Sequence, residues 1–159
     1  MRTSLSANQR RTACRGIVTV EVALIMPVFV LFLFAIMEFG HFCLVSHTLN
    51  AAARRGAHLG SFEDVTNAEV ETKVKEIVGA VINPSKATIT VRDASSFDSA
   101  NFSASNIDYS SLPAVDLSTA EMGDCFIVRV TVPYDNVSLL PTFFVKGKTI
   151  VGQAATRHE

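Results

Sequence analysis

Arg15-Gly16-Ile17-Val18-Thr19-Val20-Glu21-Val22-Ala23-Leu24-Ile25-Met26-Pro27-Val28-Phe29-Val30-Leu31-Phe32-Leu33-Phe34-Ala35-Ile36-Met37-Glu38-Phe39 is the stretch on which the fold turns. No charge stands between Glu21 and Glu38, and eleven of the residues between them are Val, Ile, Leu or Phe. Wound as a helix, residues 17–39 rise about 34 Å, enough for a hydrocarbon core of about 30 Å. The eleven apolar side chains contribute roughly −3 to −7 kcal/mol toward insertion. The two glutamates lie at the ends, where their cost falls below the midplane value of about +2.5 to +3.5 kcal/mol. A single membrane-spanning helix is the expectation. Pro27 lies inside it, removes a hydrogen bond to Ala23 and predicts a kink.

Outward on the N-terminal side, residues 1–16 carry Arg2, Arg10, Arg11 and Arg15 and no acid. The whole chain has a net charge of −1, so the rest carries ten basic against fifteen acidic side chains. A basic arm suits nucleic acid, but one running straight into an apolar helix sets orientation in a bilayer instead. The positive-inside rule then puts the N-terminus in the cytoplasm and the C-terminal part outside. A cleaved secretory signal fits less well, because the apolar run exceeds 7–15 residues and no small-residue cleavage site follows it directly. A mean hydropathy of +0.31 agrees with one long apolar segment raising the average.

Beyond the span the helical spacing continues through Phe42, Val45, Leu49 and Ala52, with Gly56 expected just past its end. Thr66-x-x-Glu69 is a capping box, and Val65 with Val70 fits a hydrophobic staple. Val70, Val74, Ile77, Val78 and Val81 form one apolar face, which Asn83-Pro84 should end. Three strands are expected at 86–92, 125–132 and 148–155, the last weakened by Gly152 and entered by a turn at Lys146-Gly147-Lys148. The order predicts an α+β fold, with one helix on a three-stranded, mostly antiparallel sheet behind the long N-terminal transmembrane helix. Residues 93–123 hold eight serines, five acids and no basic residue, too long a connection to be plain, and so either mobile or a contact surface. Residues 137–145 form a short apolar patch around Pro141, suited to the underside of the sheet, a partner or the membrane.

Candidate chemistry is sparse. Cys14, Cys43 and Cys125 have no metal spacing, and a Cys43–Cys125 disulfide and two free thiols both fit. Glu38-x-x-His41 is half of a carboxylate–histidine motif with no second copy, so no metal, cofactor or catalytic group is assigned.

Gly16-Ile17-Val18-Thr19-Val20-Glu21 after a basic leader resembles a prepilin processing site. The wider string adds Val22-Ala23-Leu24, Met26-Pro27, Glu38-Phe39-Gly40 and Ala51-Ala52-Ala53-Arg54-Arg55-Gly56-Ala57. With these it resembles the TadE-like minor pseudopilins of the tight-adherence (Tad) pilus system. Thr19 and Val22 depart from many relatives without touching the processing positions. The resemblance implies a leader, residues 1–16, removed between Gly16 and Ile17 by a prepilin peptidase. It implies a transmembrane helix over 17–39, a helix extension over 40–56 and a pilin-like extracytoplasmic domain over 57–159, anchored in a bacterial inner membrane. It further implies that Glu21 pairs with the N-terminal amine of a neighbouring subunit, and that the partners are the lipid bilayer, the peptidase, other pilins and a membrane platform. Gly lacks a Cβ and leaves the cleaved bond unhindered, while Glu21 stands about 6 Å along the helix from the new amine. The rival readings are an unprocessed single-pass anchor carrying an outer binding domain, and a tethered enzyme, for which the sequence offers no cleft residues.

Overall fold

A computed structural model describes residues 7–98, 107–109, 111–139 and 141–159, with residues 7–17 described by their backbone alone. Helix α1 runs without interruption over Ala7–Gly60, 54 residues or about 81 Å. It continues through Pro27 because the lost N–H removes one rung only, and neighbouring rungs hold the turn. Between Val18 and Met37 every side chain is exposed except the half-buried Ala35. From Val45 onward the same helix becomes the centre of the head: Val45, Leu49, Ala52 and Ala53 are fully buried. One rod therefore has an uncovered apolar half and a half that serves as core.

Gly56 does not end α1. It lies buried one turn before the end, facing α2 (Asn67–Val78) and the sheet. A Cβ there would stand 2.5 Å from Val74 Cγ2 and 3.5 Å from Val128 Cγ1. The residue is small because two elements converge on it, and the helix runs on to Gly60, whose own missing Cβ makes room for Leu117 and Phe126. Helix α2 begins as its sequence requires: Thr66 Oγ1 accepts from Glu69 N–H, and the Glu69 carboxylate accepts from Thr66 N–H at 2.9 Å. Its buried face is Val70, Val74 and Val78. Its end comes sooner than expected, at Gly79, while Asn83 caps a separate 3-10 turn over Pro84–Lys86. The Asn83 side chain satisfies the N–H of Ser85, a bond unavailable inside a continuing helix.

The sheet holds β1 (Thr88–Asp93), β2 (Cys125–Pro133) and β3 (Thr149–Arg157) in that order, with both pairings antiparallel. Phe126, Val128, Val130 and Val132 alternate onto the covered face, none more than 1% exposed. Gly152 does not weaken β3. It pairs with Val130, and a Cβ on it would stand 2.3 Å from the Leu49 carbonyl carbon of α1. The glycine is where helix backbone meets sheet backbone. Gly147, at φ 72°, makes the expected turn into β3, and its N–H is held by Asp135.

The long connection between β1 and β2 is not loose over its second half. Ala114 bridges to Arg92, Leu117 is buried, and the Asn67 amide donates to Val115 C=O while its oxygen accepts from Leu117 N–H. Residues 99–106 lie outside the description.

Candidate functional site

Two carboxylates bracket the uncovered half of α1. Glu21 and Glu38 are seventeen residues apart, about 26 Å along the axis, close to the thickness of a hydrocarbon core. Their surroundings differ completely.

Glu21 is exposed and makes no hydrogen bond or ion pair among the described residues. The Gly16–Ile17 bond lies within α1, and the side chains around it are outside the description. Cleavage there requires the helix to open locally, which glycine eases by about 1 kcal/mol relative to alanine. The structure places Glu21 near the N-terminal end of the apolar surface, with no side-chain partner among the described residues.

Glu38 is claimed. Only 3% of it is exposed, although its neighbours Met37 and Phe39 face outward. Its carboxylate accepts three successive backbone N–H groups: Val145 at 2.8 Å, Phe144 at 3.1 Å and Phe143 at 3.3 Å. Consecutive N–H groups converging on one anion form a nest, in which the negative charge is met by peptide dipoles and no counter-ion is needed. The backbone carbonyl of Glu38 accepts from the Tyr134 hydroxyl at 3.0 Å. Tyr134 is buried against Phe42, edge to face at 5.4 Å, and the His41 ring lies 5.8 Å from it. Burial, and after it the Glu38 charge, pushes the Tyr134 hydroxyl above its ordinary pKa, so it stays a neutral donor. Desolvation lowers the His41 pKa and favours the neutral ring. The end of the apolar helix is thus clasped by the β2–β3 connection, through Tyr134 at its start and Phe143–Val145 toward its close.

This clasp was not legible in the sequence. Glu38 reads there as a charge marking the end of a span, and the two partners stand 105 or more positions apart. The available signal was the apolar patch at 137–145 with its Pro141, which announces a shaped loop without saying what it holds.

Of the two cysteine readings, the structure has the free thiols and not the bridge. Cys43 is free and exposed, and Cys125 is free and half-buried. Cys43 follows Phe42, beside Tyr134 at the far end of β2, whereas Cys125 begins that strand, about 26 Å away. Glu38 and His41 are engaged by the loop and by Tyr134 respectively, so neither is arranged as a ligand.

Val18–Gly60 is long and apolar enough to cross a membrane, and its most apolar stretch is uncovered throughout. No curated protein and no solved structure matches the chain. Residues 16–58 match the family of TadE-like proteins. That segment starts at Gly16, includes Glu21, Pro27 and Glu38, and stops two residues before α1 does, so the similarity to TadE-like proteins falls on α1.

Proposed function

We propose that the chain is a non-enzymatic minor pseudopilin of a Tad-type pilus or secretion apparatus. A prepilin peptidase cuts between Gly16 and Ile17. The mature protein sits in a bacterial inner membrane by residues 17–39, with its amine end toward the cytoplasm and its α+β head outside. It assembles through its apolar helix with other pilins and a membrane platform. Glu21 is the assembly residue, and it takes the N-terminal ammonium of a neighbouring subunit.

The observation that carries this reading is the contrast between the two carboxylates of the TadE-like segment. Glu38 has its charge met inside its own chain, while Glu21 ends the uncovered helix with no partner among the described residues. A carboxylate moved from the interface into a helix bundle needs a cation, and an amine created four residues earlier on each copy supplies one. The basic residues of the leader support the orientation.

The test is N-terminal and intact-mass analysis of membrane-extracted protein from cells with and without the peptidase. The expected result is a chain starting at Ile17 only where the enzyme is active. Retention of residues 1–15 in cells that mature other pilins normally refutes it. In a second arm, Glu21→Gln should be processed as usual but lost from the co-purified pilus complex.

A further inference from the structure

We propose that Leu139 and the 141–145 loop form a second membrane contact, an interfacial anchor dipping into the outer leaflet beside the top of the span. This rests on the membrane-anchoring part of the reading above and is independent of processing and of Glu21. Its observations are three.

The loop is fixed in height. Three N–H groups from Phe143, Phe144 and Val145 end on the carboxylate of Glu38, so the loop cannot rise with the head while α1 stays in lipid. At the same level the Phe144 ring lies 6.2 Å from that of Phe39, which makes the loop continuous with the lipid-facing surface of the helix.

The loop is apolar and uncovered. Beyond Phe39 the described residues expose six large apolar side chains: Leu44, Phe62, Met122, Leu139, Phe143 and Phe144. Half of them are in this one loop, with Leu139 81% and Phe143 70% exposed. Such side chains on a turn at headgroup depth partition into the acyl boundary.

The polar groups are arranged for it. Residues at that depth are short of water, and here the carboxylate is satisfied by the backbone of the loop itself. Thr142 donates to Asp135, which also holds Gly147 N–H. Exposed Lys146 and Lys148 follow directly, where ammonium groups reach lipid phosphates. A protein partner would account for the exposed phenylalanines, but nothing would then require the loop to be tied to the end of the span.

The chain has no tryptophan, so one can be placed as a unique probe. Full-length Phe143→Trp, Phe32→Trp and Met122→Trp proteins are reconstituted into phosphatidylcholine–phosphatidylglycerol vesicles, with and without brominated acyl chains. Phe32 reports the span, and Met122 an exposed part of the head at the other end of β2. The expected result is blue-shifted emission from Phe143→Trp, quenched several-fold by bromine placed high on the acyl chain. Phe32→Trp should be quenched by bromine placed deep, and Met122→Trp by neither. Water-like, unquenched Phe143→Trp emission beside a quenched Phe32→Trp overturns the anchor and leaves the span intact. Blue-shifted emission that bromine does not quench and that dilution reverses overturns it in favour of another protein copy covering the loop. If Phe32→Trp is also unquenched, span and anchor fall together.

Discussion

Gly152→Ala tests the central packing of the head. The added Cβ would sit 2.3 Å from the carbonyl carbon of Leu49 and 2.4 Å from its oxygen, in backbone that no rotamer change can move aside. Restoring a carbon–carbon contact of about 3.5 Å requires α1 to retreat by roughly 1 Å. Retreat on that scale forfeits about a quarter to a half of the dispersion well for side chains lining the seam, among them the fully buried Val45, Leu49 and Ala53. Overpacking of this kind costs about 2–3 kcal/mol, and for a head of this size the midpoint should fall by about 8–24 °C. Gly40→Ala is the matched opposite. Nothing lies within 4 Å of its added Cβ, so the helix should gain about 0.5–1 kcal/mol. Gly56→Ala should fall between, because its nearest obstacle is the Val74 side chain. Both tyrosines lie in the head, so tyrosine fluorescence of the detergent-solubilised full chain follows its thermal unfolding without interference from the span. Gly152→Ala at wild-type stability, or Gly40→Ala as damaging as Gly152→Ala, refutes the close approach of helix and sheet.

The capping box makes the head acid-sensitive in a defined direction. Bonds from the Thr66 N–H and hydroxyl hold the Glu69 carboxyl below its ordinary pKa, so its stabilisation is complete above the unfolded-state value and disappears as pH falls through the folded one. Thr66→Ala should therefore lower stability by about 1 kcal/mol at neutral pH. The gap in urea midpoint between it and wild type should narrow in acid, and a constant gap would remove Glu69 from the account. The two thiols should behave independently. Cys43 should react with a maleimide in the native protein, whereas Cys125 should lag, since burial and then the Asp98 charge raise its thiol pKa. A shift in gel mobility between reduced and non-reduced monomer would contradict the placement of these residues at opposite ends of β2.

Local chemistry made much of this protein readable from the chain. A run of apolar residues longer than any soluble helix face needs specifies a rod that water does not cover. Thr66 and Glu69 specify where α2 starts, because a cap acts within four residues. The alternation of Phe126, Val128, Val130 and Val132 specifies which face of β2 is core, since a strand turns its side chains over at every step. Each of these signals is complete within about one turn or one strand.

What required the fold is whatever depends on two distant segments meeting. Gly56 and Gly152 read as a helix end and a flaw in a strand, and became the points of closest approach, because a missing Cβ gains its meaning from what comes near it. Glu38 read as a charge left at a boundary, and became the ligand of a loop more than 100 residues away. Sequence spacing carries no record of such a meeting: the nest is built from backbone N–H groups, which every residue but proline possesses, and only tertiary structure aims three of them at one carboxylate.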